Sequence, residues 1–172
     1  PATANRANVG GMIGNNSSGT KSILFGKTID HVEELRVLLA DGTTLDLRQL
    51  SSDELAARTV GSGREAEIYR GLRRIVADNR DEIAARYPKV MRRVGGYPLD
   101  ELVVDDGWNP AKILVGSEGT LAVTLEAKLH LEPLPRHTSI CVVHFADLLE
   151  TIRAVEHILP FGPSAVEILD HT

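Results

Sequence analysis

The chain has 172 residues, 42% of them hydrophobic and 25% charged, the balance of a globular protein with one domain or one domain and part of another. Its net charge of -5, with Lys and Arg scattered, excludes a basic stripe that would follow a nucleic-acid backbone. No apolar run reaches the ~20 residues that cross a bilayer, no signal-peptide pattern opens the chain, and the one cysteine, Cys141, excludes an internal disulfide or a cysteine-rich metal or iron–sulfur site within it.

In chain order, residues 1–30 are rich in Gly, Asn, Ser and Thr and read as loop with a short apolar turn. The runs 34–40 and 43–47 meet across Asp41-Gly42, a hairpin signal because the turn needs positive φ there. Ser51 with Glu54, and Ser62 with Glu65, have capping-box spacing. Ile68, Leu72, Ile75, Val76 and Ile83 keep a helical period, which predicts one amphipathic helix over 63–86, stopped by Pro88. Residues 89–112 are irregular, and 113–115 read as a strand. Leu121, Val123, Leu125, Ala127, Leu129 and Leu131 alternate with polar residues, predicting a long strand with one buried face. After Pro133 and Pro135 the pattern predicts a strand at 139–145, a helix at 147–158 and a strand at 165–169. On that strand Cys141 shares a face with Val143 and Phe145, as a buried thiol would. Both ends read as cut, from Pro1 to Thr172, so the expectation is an internal fragment of a longer protein.

Gly14-Asn-Asn-Ser-Ser-Gly19 followed by Thr20-Lys21-Ser22 is one residue away from a phosphate-binding P-loop. In that loop the lysine directly follows the second glycine and a helix follows at once. Here Thr20 intervenes, and Ser22-Ile-Leu-Phe-Gly26 argues against a helix. The G-x-G-x-x-G dinucleotide fingerprint is absent as well. Two readings stay open for the stretch: a surface connection built of ordinary turn residues, or a loop whose glycines let backbone amides approach a ligand. Gly116-Ser-Glu-Gly-Thr120, placed between two predicted strands, poses the same pair of alternatives. None of the six histidines has metal-ligand spacing; His130 and His144 fall on predicted strands. No residue presents itself as an acid, base or nucleophile.

Five blocks nevertheless follow in order: Thr3-Ala-Asn-Arg6, Gly10-Gly-Met-Ile-Gly-Asn-Asn-Ser-Ser-Gly19, Phe25-Gly-Lys-Thr-Ile-Asp30, Val37-Leu-Leu-Ala-Asp-Gly42 and Gly116-Ser-Glu-Gly-Thr-Leu-Ala122. The series resembles the FAD-linked oxidases of the vanillyl-alcohol oxidase type, in the glycolate oxidase subunit and D-lactate dehydrogenase branch. Tyr97-Pro-Leu-Asp-Glu-Leu102 and Trp108-Asn-Pro-Ala-Lys112 are similar to the long members that carry a C-terminal iron–sulfur region.

The resemblance implies an α+β fold. Residues 1–135 would be the second subdomain of a two-part FAD-binding domain, mainly antiparallel sheet flanked by helices, and 136–172 the beginning of an α+β substrate (cap) domain. It implies FAD, held weakly or not at all by the fragment alone, and an iron–sulfur cluster outside this chain. The implied reaction is oxidation of a small D-2-hydroxy acid of the lactate, glycolate or 2-hydroxyglutarate class, by hydride transfer to flavin N5, with an unspecified electron acceptor and no nucleic-acid partner. Competing readings are a module that keeps the fold without flavin, or a related FAD-dependent reductase. The implied location is cytoplasmic, free or peripheral at the inner face of the membrane.

By the same resemblance Gly10, Gly11, Gly14, Asn15, Asn16, Ser17, Ser18 and Gly19 lie along the flavin and pyrophosphate. Gly116, Ser117, Glu118, Gly119, Thr120 and Val123 pass near the flavin, and Asp30 and Val32 lie toward the adenosine end. Long members often carry cysteine where Ser18 stands, so a role tied to that thiol is lost. The first pyrophosphate loop is expected before Pro1, and the histidines and arginine that engage the acid after Thr172, which leaves the catalytic residues unassigned.

Overall fold

The computed structural model describes residues 5–93, 95–104 and 107–170. It opens with three short helices where the sequence predicts loop: α1 (Val9–Asn15), α2 (Ser22–Phe25) and α3 (Thr28–His31). Glycine disfavours a helix because its unfolded backbone has more freedom to lose, so α1 must be held from elsewhere in the chain. Ile13 supplies that hold, 1% exposed within the main core, and Asn16 ends the helix in the left-handed region at φ 48°. The case against a helix at Ser22 is corrected too, although one turn is all that forms before Gly26.

β1 (Val32–Leu38) and β2 (Thr44–Leu47) make the antiparallel hairpin that Asp41-Gly42 predicts. The Gly42 N–H donates to the Leu39 carbonyl at 3.0 Å, and Gly42 takes φ 86°, which glycine adopts at no steric cost. Leu35, Val37, Leu45 and Leu47 are buried on one face, while Arg36 reaches Asp46 and Glu126 on the other.

β3 (Leu50–Ser51) runs straight into α4 (Ser52–Arg58) through the predicted capping box. Ser51 Oγ accepts from the Glu54 N–H at 3.2 Å, and Glu54 Oε2 accepts from the Ser51 N–H at 3.0 Å. Ser51→Ala is expected to cost about 1 kcal/mol, read as a lowered midpoint in urea unfolding; an unmoved midpoint would show that the box adds nothing.

The single predicted helix over 63–86 is two: α5 (Arg64–Asp78) and α6 (Arg80–Arg86). Asn79 breaks it. Its side-chain amide takes the Ile75 carbonyl at 2.8 Å, against 3.2 Å for its backbone N–H, and its backbone leaves the helical region. The Ser62 box does not form, since Gly63 is the N-cap. Tyr87 takes the extended conformation that Pro88 imposes and closes α6 as predicted.

β4 (Val103–Val104) and β5 (Gly107–Trp108) build, with β3, a second antiparallel sheet in the order β3–β5–β4. Leu50, Leu55, Tyr69 and Trp108 pack together beside it. The strand expected at 113–115 is a correction: Pro110–Leu114 is a 3-10 turn. Asn109 Oδ1 accepts from the Ala111 N–H at 3.1 Å and Pro110 presets the first φ, so the chain coils there before it can extend.

β6 (Val123–Leu129) completes the first sheet, order β2–β1–β6, all antiparallel. Its alternation predicts one buried face, but no residue of β6 is buried, and a bulge also breaks the alternation. Glu126 pairs with Arg36 and Thr124 with Val37, which leaves Leu125 as the extra residue. The phase flips there, so Val123 (opposite Leu38) and Ala127 (opposite Leu35) lie on different faces. Val123 and Leu125 are at least half exposed.

Farther on, α7 (Leu148–Ile158) forms as predicted, with Asp147 Oδ1 accepting from the Leu149 and Glu150 N–H groups. The strands expected at 139–145 and 165–169 do not form, because a strand needs a laddered neighbour and no described residue supplies one. Cys141, expected to be buried, is exposed for the same reason. His144 lies on no strand, and His130 falls one residue past β6. Mixed helix and antiparallel sheet is the α+β class expected. Among the described residues, no helix is long and apolar enough to cross a membrane.

Candidate functional site

Two stretches that lie about a hundred residues apart in the sequence are laced together by their backbones. The Gly116 N–H donates to the Ile13 carbonyl and the Glu118 N–H to the Gly14 carbonyl, both at 2.9 Å. Gly116 takes φ 87°, and a Cβ there would stand 3.3 Å from the Asn16 Cβ, so this close approach requires glycine. Glu118 sits in the left-handed region at φ 52° although it is not glycine, a conformation that persists only where its surroundings enforce it. The Ser117 hydroxyl, buried, donates to the Leu114 carbonyl at 2.8 Å.

Asn16 ties this pair of loops to α3. It is 6% exposed, and its Oδ1 accepts from the Ile29 N–H at 3.0 Å. The neighbouring Ser17 carbonyl accepts from both the N–H and the hydroxyl of Thr28, at 3.1 and 2.8 Å. From beneath, the Lys112 ammonium donates to the Ile29 carbonyl. Burial pushes the Lys112 ammonium below its ordinary pKa, against the pull of the Asp30 and Glu101 carboxylates. Asp30 is turned outward, its Oδ2 accepting from the Lys27 N–H at 2.7 Å.

The structure thus brings most of the sequence-derived candidates into one region. Gly10, Gly11, Gly14 and Asn15 lie in α1, Asn16 caps it, and Ser17, Ser18 and Gly19 lead away. Gly116 to Thr120 form the facing turn, which follows a 3-10 turn and not the strand expected before it. The two valine candidates lie far from each other. Val32 is a core residue at 1% exposure, so its backbone alone is available to a ligand. Val123 pairs with Leu38 while Val32 pairs with Leu129, which puts the two at opposite ends of one ladder, roughly 20 Å apart at ~3.3 Å per residue.

Several features fit a flavin dinucleotide. Gly10, Gly11 and Gly119 have nothing within 4 Å of where a Cβ would stand, so a flat molecule can reach their backbone. Ser18 Oγ is buried without a partner, an unused hydrogen-bonding group in the loop itself. Asn15 and Ser17, bonded to each other at 3.2 Å, add neutral donors and acceptors suited to ribityl and ribose hydroxyls. The Gly19 N–H is already bonded to Ser22 Oγ at 3.0 Å, so a phosphate would have to compete for it. Among the described residues, no group of three or more His, Cys, Asp or Glu side chains is placed to hold a metal ion.

Sequence reasoning gave no role to Tyr87 or Arg93 and read Tyr97 and Lys112 only as parts of motifs. Tyr87, Arg93 and Glu101 border a shallow crevice, open to solvent, that reaches Asn16 and Gly116. No spacing rule marks them, because their partners (Tyr97 and Leu99 for Tyr87, Asp100 and Glu101 for Arg93, Ile29 for Lys112) follow no helical or strand period.

Residues 1–48 match the family described as FAD binding domain. Along nearly its whole length the chain is similar to the D-2-hydroxyglutarate dehydrogenases of Pseudomonas putida (34% identical, 98% of this chain and 17% of that protein) and Escherichia coli (32% identical, 98% and 17%). It is also similar to the D-lactate dehydrogenase of Archaeoglobus fulgidus (25% identical, 97% of this chain and 27% of that protein). The chain therefore spans 17% of the length of the first two relatives. Similarity that runs from end to end, and not over one glycine motif, makes this chain a member of the FAD-linked oxidase family.

Proposed function

We propose that this chain forms part of the FAD cradle of a dehydrogenase that oxidises a small D-2-hydroxy acid, with D-2-hydroxyglutarate the leading candidate. The observation that carries the reading is the lacing of the two glycine stretches, Gly116 to Ile13 and Glu118 to Gly14, over an otherwise open backbone surface. The names of the more similar relatives favour 2-hydroxyglutarate over lactate.

When bound, the flavin would supply the hydride acceptor, and the protein would supply position and electrostatics. In this reading Asn15, Ser17 and Ser18 hydrogen-bond the cofactor's hydroxyls and phosphates. Gly10, Gly11 and Gly119 would admit its approach to the backbone, and the exposed Leu121, just before β6, with Val123 and Leu125 at its start, would shield its apolar ring. Residues 1–135 belong to the second FAD subdomain and 136–172 begin the cap. The acid-binding groups, any iron–sulfur cluster and the electron acceptor's site belong to the rest of the protein.

The test is direct. The protein that carries this chain, purified under mild conditions, is expected to show the visible absorbance of oxidised flavin. Stopped-flow mixing with D-2-hydroxyglutarate is expected to bleach it, faster than D-lactate or glycolate does. A colourless protein that takes up no added FAD would overturn the cradle. A yellow protein that none of the three acids bleaches would keep the cradle and reject the substrate class.

A further inference from the structure

We propose that Tyr97 is a positioning residue for the second glycine loop, acting through the Thr120 hydroxyl. The inference rests on Gly116–Thr120 being a flavin-side loop.

Counting hydrogens fixes the direction of the contact. The Thr120 hydroxyl donates to the Ser117 carbonyl at 2.5 Å, where the Thr120 N–H also bonds at 3.0 Å. A hydroxyl has one hydrogen to give, so at the 2.9 Å contact between Tyr97 and Thr120 the phenol is the donor. Tyr97 thereby holds the oxygen that in turn clamps the turn closed. The turn needs a clamp, since it contains Glu118 in a backbone region that costs about 1–3 kcal/mol for ordinary residues.

Tyr97 is itself held on its other side. The Tyr87 phenol donates to the Tyr97 carbonyl at 2.6 Å and accepts from the Leu99 N–H at 3.3 Å. The Arg93 guanidinium lies 5.2 Å from the centre of the Tyr87 ring, in cation–π range, and its Nη2 reaches Asp100 and Glu101. Burial opposes the charge on Arg93, but those two carboxylates outweigh it and raise its pKa, so the stack keeps its cation. Arg93 and Tyr87 thus support the residue whose phenol reaches the loop hydroxyl. Tyr97 is 42% exposed, which separates this contact from core packing: its hydroxyl can be removed without opening a buried cavity.

The experiment uses the complete protein with FAD. Tyr97→Phe is expected to raise the FAD dissociation constant about three- to tenfold, the effect of one net hydrogen bond, and to change the visible circular dichroism of the bound flavin. The unfolding midpoint of the apoprotein should stay put. Thr120→Val, which also loses the bond to the Ser117 carbonyl, should give at least as large a rise, Thr120→Ser a smaller one, and the Tyr97→Phe/Thr120→Val double variant no more than Thr120→Val alone, because the contact that Tyr97→Phe breaks is already gone in it. Wild-type affinity and flavin dichroism in Tyr97→Phe would overturn the proposal. A lowered apoprotein midpoint with additive effects would also overturn it, by assigning Tyr97 to stability. Wild-type protein that takes up no FAD fails the cradle reading before any variant is made, and this inference with it.

Discussion

Gly107→Ala is expected to destabilise the protein by about 3 kcal/mol or more, on the scale of removing a large buried side chain. A Cβ at this position would stand 1.9 Å from the Leu50 carbonyl oxygen, 3.0 Å from its carbon and 3.2 Å from the Ser51 Cα. All three are backbone atoms, so no rotamer change relieves the overlap. The β3–β5 ladder, which pairs Leu50 with Trp108 and Ser51 with Gly107, would have to part. Leu50 and Tyr69, both almost fully buried beside that sheet, would lose their packing with it. The damage would not stay local. β5 runs into Asn109, whose N–H donates to the Leu102 carbonyl at 2.9 Å and whose Oδ1 starts the 3-10 turn leading to Gly116. Urea unfolding and FAD titration should therefore both register the change. A wild-type urea midpoint for Gly107→Ala would show that β3 and β5 do not approach as closely as the structure has them.

What the sequence made legible depends on where each element's information lies. Asp41-Gly42, the Ser51/Glu54 box and the Pro88 stop act over four or five residues, and each forms as read. α1 was not legible, because its helix is held by Ile13 packing into a core assembled from β1, β2 and the Pro110–Leu114 turn. Nor was the Leu125 bulge, which exists only in the pairing of β6 with β1 and reverses what simple alternation predicts. The break at Asn79 was within reach: an amide side chain in a helix competes for the carbonyl four residues back. At the site, both glycine stretches could be named beforehand only as candidate ligand loops, with an ordinary turn as the alternative; the resemblance alone gave them a cofactor, and their mutual contact came only from the fold. The Tyr87–Arg93–Tyr97 support had no local signature at all, since each of its links joins residues that sequence patterns do not relate.

Asn16 is where the backbone and side-chain demands of the site coincide, and substitutions there separate them. Asn16→Ala is expected to cost about 2–4 kcal/mol: about 1–3 from leaving the buried Ile29 N–H without its acceptor and about 1 from forcing a Cβ-bearing residue without a local hydrogen bond into the left-handed region. Asn16→Gly loses the same acceptor but accepts φ 48° freely, so it should cost less despite removing more atoms. Unfolding midpoints should then fall in the order wild type, Asn16→Gly, Asn16→Ala. FAD affinity should follow that order, because the left-handed turn that ends α1 fixes the Ile13 and Gly14 carbonyls that receive the Gly116 and Glu118 N–H groups. If alanine proved as stable as glycine at this position, the left-handed turn would not be what terminates α1. The register between the two glycine loops would then have to come from the Gly116–Ile13 and Glu118–Gly14 hydrogen bonds alone.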